Sequence, residues 1–301
     1  MPRRDWNRVR EVLDGFLARR EAVPGPDPVS FPRRYKGPDD REVAGLVAAC
    51  LAFGRVASIR AKISEALSRM GDSPAAYVDD LEPKRALKDF RGWNHRMAKP
   101  QHLVALLGGM RRVRRRHGTL GAAFSSFPGG VRERLTAFSD ALGPVGGNLL
   151  ANPRTGSPCK RLNLFLRWMI RPDDGIDLGI WEAVTPADLV IPLDTHIHRI
   201  ARYVGFTTLK TPRWETAAEI TRALARLDPA DPLKYDFALC HLGIAGDCPR
   251  HQVKAICAGC DLREVCRLPK RDGAVLPQLR GTRDAAMLVV EAQGLLDPGV
   301  P

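Results

Sequence analysis

Val190-Ile191-Pro192-Leu193-Asp194-Thr195-His196-Ile197-His198-Arg199, followed further on by Cys248, Cys257, Cys260 and Cys266, is the stretch on which the reading of this chain turns. The gaps between the cysteines are eight, two and five residues, so the last three fall within ten residues. Core packing does not need thiols so crowded, and metal ligation does. Zinc and a [4Fe-4S] cluster are the two occupants to weigh. Structural zinc commonly takes two short cysteine pairs, and only Cys257 and Cys260 form one here. A compact loop of four thiolates suits a cubane better. The remaining cysteines separate from these: Cys50 and Cys240 fall on helical faces, and Cys159 stands beside Lys160.

Upstream of the cysteines, Ile197, Ile200, Ala201 and Val204 recur at helical spacing and Gly205 stops them. Asp194 stands where that helix needs an N-cap, and capping alone would account for an aspartate there. His196 and His198 fall on different sides of the same helix and are not read as ligands. Ser157-Pro158-Cys159-Lys160 reads as N-cap, N1, N2 and N3 of another helix. Its body, Leu162 to Ile170, is nearly all apolar, whereas Lys160, Asn163, Arg167 and Arg171 share one stripe at spacings of three, four and four. A helix this apolar presents its polar stripe to something specific. Lys160 lies near the positive pole of its own helix, which disfavours the ammonium form, and an amine with a neutral fraction is a nucleophile. The plainer reading is a wet polar seam.

The rest of the chain reads as helix after helix. Trp6, Val9, Leu13, Phe16 and Leu17 make an amphipathic start, and the prolines between residues 22 and 38 predict an extended connector. Asp39 and Asp40 are placed to cap a helix striped by Val43, Leu46, Val47, Cys50 and Leu51. Further stripes run from Ile59 to Met70, from Ser73-Pro74, from Leu103 to Val113, and through Leu120–Phe124 and Val131–Leu142; residues 82 to 101 read as irregular and basic. Thr211-Pro212 and Asp231-Pro232 begin two more helices that deliver the chain to Cys248. No stretch alternates with period two, so the fold class is all-α.

Composition bounds the partners. The chain has 301 residues with 47 Lys and Arg against 34 Asp and Glu, a formal charge of +13 that favours a polyanion such as nucleic acid. Arg111, Arg112, Arg114, Arg115 and Arg116 are the densest basic run and read either as a phosphate contact or as a solvated helix end. No span of membrane length and no apolar leader is apparent, so a cytoplasmic, nucleoid-associated protein is expected, with cysteines serving as ligands rather than disulfides.

Ile191-Pro192-Leu193-Asp194-Thr195-His196-Ile197-His198-Arg199 together with the four-cysteine loop resembles the helix-hairpin-helix DNA glycosylases of the endonuclease III and adenine glycosylase type. The chain is also similar to a bacterial family described only as a conserved protein of unknown function, through Cys159 to Met169 and Ile191 to His196. The resemblance implies two helical lobes with duplex DNA across the cleft. Residues 1–35 would be an N-terminal helix and connector returning to the C-terminal lobe, 36–194 a helical barrel lobe, 195–270 a cluster lobe, and 271–301 a peripheral extension. It implies base excision, bifunctional in the sense of glycosylase plus AP lyase, by a monomer. Asp194 and Lys160 would be catalytic, Cys248, Cys257, Cys260 and Cys266 would hold the iron of a [4Fe-4S] cluster, and Lys254, Arg263 and Arg267 would meet phosphates. One departure stands out. The glycine hairpin that carries the lysine in endonuclease III-like enzymes is missing, and Lys160, behind the segment Asn152 to Cys159, lies 34 residues before Asp194. A non-catalytic iron-sulfur DNA-binding protein is the competing expectation, and a redox or RNA-processing iron-sulfur protein the third.

Overall fold

Apolar periodicity becomes thirteen α-helices among the described residues, which are 5–19 and 27–268 of the computed structural model; they contain no strand beyond an isolated bridge between His95 and Ala98. In chain order these are α1 (Trp6–Arg19), α2 (Pro38–Leu51), α3 (Val56–Arg69), α4 (Pro74–Asp79), α5 (Pro83–Asp89), α6 (Pro100–His117), α7 (Leu120–Ser126), α8 (Val131–Leu142), α9 (Lys160–Ile170), α10 (Thr195–Val204), α11 (Trp214–Ala225), α12 (Asp236–Ile244) and α13 (Lys254–Ala258). The expected extension at 271–301 lies outside the described residues.

α2 is the hub. Every residue from Glu42 to Leu51 is buried, the mark of a helix enclosed on all sides. α3, α4, α7 and α9 pack around it. α9 comes closest, because a Cβ on Gly45 would stand 2.9 Å from the Met169 side chain. Glu42, buried within this hub, is satisfied by three donors, the amides of Leu120 and Gly121 at the start of α7 and the indole N–H of Trp181. Burial nonetheless pushes its carboxyl up, the three donors opposing.

The stripe on α9 meets carboxylates. Arg167 is only 3% exposed and donates to Asp177 at 3.1 Å and to Asp236 of α12 at 2.5 Å. Arg171, one turn on, donates to Asp174, Asp177 and Asp231. Asn163 is buried as well and donates to Pro158 O at 2.9 Å. Arg167 and Arg171 therefore brace α9 against α12, the segment before α12 and its own following loop, Asn163 ties it to the turn that precedes it, and Lys160 is left at the open end. α10 and α12 pack equally closely, since a Cβ on Gly243 would stand 2.5 Å from that of His196. α1 lies on the same part of the chain: Arg8 pairs with Glu264, Arg19 with Asp261 at 2.9 Å, and Tyr235 donates to Asp14 at 2.7 Å.

Several local expectations are corrected. In the connector, the described part is not extended, because Pro28 and Pro32 each start a 3₁₀ turn with their preset φ. Gly37, not Asp39 or Asp40, is the N-cap of α2, with Pro38 at N1; Asp40 instead accepts from Ser73 and Ala75. Residues 82 to 101 contain α5, capped by the Glu82 carboxylate on the amides of Lys84 and Arg85. α11 and α12 begin at Trp214 and Asp236, later than the Thr-Pro and Asp-Pro signals. In the arginine run, Arg114 is buried and pairs with Asp39 and Asp79, and Arg112 donates to Leu142 O, whereas Arg115 and Arg116 are exposed.

Removing Arg167 leaves Asp177 and Asp236 buried without their cation. Arg167→Met is expected to cost about 3–5 kcal/mol of stability, read as a lowered Tm at neutral pH. Burial already raises both carboxyl pKa values above the ordinary range, and loss of the arginine raises them further. Groups whose folded pKa lies above the unfolded value bind protons in the folded state, so the deficit shrinks as pH falls through that window. Thermal melts of the variant and the wild type across that range check both the size and the sign.

Candidate active site

The approach to Asp194 is a buried extended segment. Ile191 is fully buried and its amide donates to Thr221 Oγ1 of α11 at 3.0 Å, which fixes where the segment ends. Asp194 then caps α10, its Oδ1 accepting from the amides of His196 and Ile197 at 2.8 Å each. One oxygen is thus spent on the helix. The other, Oδ2, stands 4.0 Å from Lys160 Nζ and 3.5 Å from the Cys240 thiol of α12.

Lys160 reaches this place through a constrained turn. Cys159, not Ser157, is the N-cap of α9, and it holds a left-handed backbone at φ 46° that non-glycine residues rarely adopt. Ser157 Oγ accepts from the Cys159 amide at 3.2 Å, and Gly156 O accepts from Trp214 at the start of α11 at 3.1 Å. The Ser-Pro signal therefore marks the turn before the helix rather than the helix itself. Sparsely populated backbone beside a chemically useful side chain is where strain recurs in functional sites. Lys160 is 35% exposed and Asp194 14%, so the pair opens to solvent on the lysine side. Lys160 is the first residue of α9 and Asp194 the N-cap of α10, so the pair joins the starts of two helices.

Cys240 is half-buried, and burial, with Asp194 and Asp236 adding to it, pushes its thiol well above the ordinary range. It stays S–H. Asp236, one turn earlier on α12, is 2% exposed and keeps its Oδ1 without a hydrogen-bond partner.

A family model described as a protein of unknown function (DUF2400) matches residues 27–245. The chain belongs to this family. No curated protein matches it. The DUF2400 span takes in Lys160, Asp194 and Cys240 and stops just short of Cys248, so α1 and the four-cysteine loop lie outside it.

That loop is fastened to the DUF2400 span through α10. Arg199 donates to Cys248 O at 2.8 Å, Tyr203 donates to Arg250 O at 2.6 Å, and the Arg267 amide donates to Tyr203 O at 2.6 Å. The guanidinium of Arg199 also keeps its Nε buried without a partner. Cys248, Cys257, Cys260 and Cys266 are all half-buried. Burial raises the Cys248 and Cys260 thiols, with Cys260 and Cys266 adding to the first and Cys266 and Cys257 to the second, so the four share one neighbourhood. Among the described residues no three Cys, His, Asp or Glu side chains stand close enough together to hold a single metal ion. Four-coordinate zinc, with sulfurs about 2.3 Å from the ion, needs them within roughly 3.8 Å of one another. The donor set is all thiol, the soft-ligand chemistry that zinc and iron-sulfur clusters share.

Lys254, Arg263 and Arg267 are exposed on the same loop, and Arg263 donates to Ala258 O at 3.2 Å. Trp93, Trp168 and Trp181 are core residues, while Phe53 is half-buried with the Arg161 guanidinium 4.8 Å from its ring centroid. No helix among the described residues is long and apolar enough to cross a membrane. The sequence reading placed Cys240 on a helical face and went no further; its i, i+4 relation to Asp236 was the available signal.

The two roles of Asp194 separate by substitution. Asp194→Asn keeps a capping oxygen and is expected to leave Tm nearly unchanged, whereas Asp194→Ala removes the cap and costs about 1 kcal/mol. Paired thermal melts decide it.

Proposed function

We propose that this chain is a base-excision DNA glycosylase with AP lyase activity, acting on a damaged base flipped from duplex DNA. The observation that carries the reading is the meeting of an accessible lysine amine and a capped carboxylate at 4.0 Å, at two converging helix N-termini. The formal charge of +13 and the exposed Lys254, Arg263 and Arg267 suit a polyanionic duplex. Extruding the base costs a few kcal/mol, least for a damaged or mispaired one.

The chemistry then follows from the pair. Asp194 Oδ2, ionised, stabilises the positive charge that grows on the sugar as the bond from C1′ to the base breaks. The base departs with the bonding electrons and takes up a proton. Lys160, having given a proton through Asp194 to water, bonds through Nζ to C1′; one of its remaining N–H protons passes to the ring oxygen as the C1′–O4′ bond breaks, giving a Schiff base, and removal of a C2′ proton by solvent then expels the 3′ phosphate with the electrons of the C3′–O bond. Cys248, Cys257, Cys260 and Cys266 would hold a [4Fe-4S] cluster, whose contribution is to order the loop that bears the basic residues.

One observation favours a second reading. α9 and α10 are separated by residues 171–194 rather than by a short glycine turn, so the phosphate grip of a hairpin is missing at that place. A non-catalytic DNA-binding protein on the same scaffold would have that character.

Borohydride trapping of anaerobically purified protein on duplexes carrying an abasic site, 8-oxoguanine, uracil or thymine glycol separates the two. A covalent adduct that disappears in Lys160→Gln, with DNA binding retained, is the expected result. Tight binding with no adduct on any duplex would favour the binder. Iron and acid-labile sulfide in near four-to-four ratio per chain are expected in the same preparation, and stoichiometric zinc would remove the cluster from the proposal.

A further inference from the structure

We infer that Cys240 is a positioning residue for the Lys160–Asp194 pair: its thiol proton holds the free oxygen of Asp194 toward the amine. The inference rests on the reading of those two residues as the reacting pair. Oδ1 is committed to two amides of α10, and because the carboxylate turns about its Cβ–Cγ bond as one plane, any swing that those two bonds permit moves Oδ2 with Oδ1. The Cys240 Sγ, 3.5 Å from Oδ2, is the neighbour that opposes that swing, because Lys160 stands further off at 4.0 Å and is more exposed.

The position of the thiol is itself set. One turn earlier on α12, Asp236 is bound by Arg167 at 2.5 Å, and Arg167 lies two turns along α9 from Lys160. At the other end of α12, Gly243 lies against His196 so closely that no side chain fits between the helices. Lys160, Asp194 and Cys240 are thereby held by three mutually braced helices.

A thiol suits this place for a chemical reason. It is a weak, uncharged donor, so it orients the carboxylate without saturating it, and Oδ2 keeps lone-pair capacity for the lysine proton or a cationic sugar. A hydroxyl would bind the oxygen more strongly, and an apolar side chain would leave it free. The charged groups facing the thiol are Asp194 from α10, Asp236 from its own helix, and Lys160 from α9, with Arg167 behind Asp236. Burial first, and the two carboxylates after it, keep the proton on sulfur, which excludes Cys240 as a competing nucleophile.

Infrared difference spectroscopy of wild type against Cys240→Ser isolates the S–H stretch of this residue. A band displaced to the hydrogen-bonded side is expected, moving to the free-thiol position in Asp194→Asn, whose capping oxygen stays on the helix and whose amide group offers no acceptor to the thiol. A wild-type band at the free-thiol position, or one unmoved in Asp194→Asn, overturns the inference. Single-turnover trapping adds the functional arm: Cys240→Ala slows adduct formation about tenfold, the order expected for one hydrogen bond to a charged group, and Cys240→Ser restores it to within about threefold. A Cys240→Ala variant that folds and traps at the wild-type rate also overturns it. Absence of any adduct in wild type defeats the lyase reading alone, and the infrared shift then still decides the contact.

Discussion

Arg167 is a cation in a place with almost no water, and the arrangement of the site depends on how it is satisfied. A buried guanidinium is tolerated only with carboxylates against it, and Arg167 has two, Asp177 on the loop after α9 and Asp236 at the start of α12. Desolvation offsets much of what the pairs gain, so their value lies less in net stability than in register. Asp236 cannot slide along α9 without abandoning Arg167. Because Cys240 is one turn beyond Asp236, and Lys160 two turns before Arg167, the ion pair sets the distance between thiol and amine. Arg171 repeats the device one turn further along the chain, with Asp174, Asp177 and Asp231.

The polar stripe of α9 therefore grades from accessible to buried along a single helix face. At its N-terminus Lys160 is a third exposed; by Asn163 and Arg167 exposure has fallen nearly to zero. A division of roles runs through a single residue in Asp194. One oxygen satisfies two amides that would otherwise be orphaned at a helix start, and the other is free for chemistry. Such sharing is economical, but it couples folding to reactivity, and it explains why a cap of the right geometry can be kept while its charge is removed.

The sequence shows the parts of this that are local. Asp194 as an N-cap, the α9 stripe and the apolar faces of most helices are readable because each depends on neighbours within a turn or two. Lys160 joins Asp194 only through a family resemblance, since nothing in the spacing brings residues 34 apart together. Cys240 stayed hidden because a cysteine on an apolar face is ordinarily core, and only α12 packing on α10 reveals what it touches. α5 was missed for the opposite reason: it has few apolar residues, and its definition comes from Pro83 at N1 and the Glu82 cap. At Ser157-Pro158 the capping signal was real but displaced, because Cys159 accepts a left-handed backbone and starts the helix later.

The family span and the cysteine loop meet on α10. Its first turn is capped by Asp194, the carboxylate proposed to react with Lys160, and its later side chains, Arg199 and Tyr203, grip the loop at Cys248, Arg250 and Arg267. The contacts are to backbone, so they read the path of the loop rather than the identity of its side chains. A loop held this way is ordered at its two ends by α10 and is tied to α1 at Asp261 and Glu264, while Cys257 sits on one short helix of its own. Ligation of a cluster would add a further constraint among the thiols, with folding energy drawn from the metal–thiolate bonds themselves. On that argument the loop needs α10 more than Lys160 and Asp194 need the loop, which is consistent with a matched family span that contains the pair and ends before the first cysteine of the four.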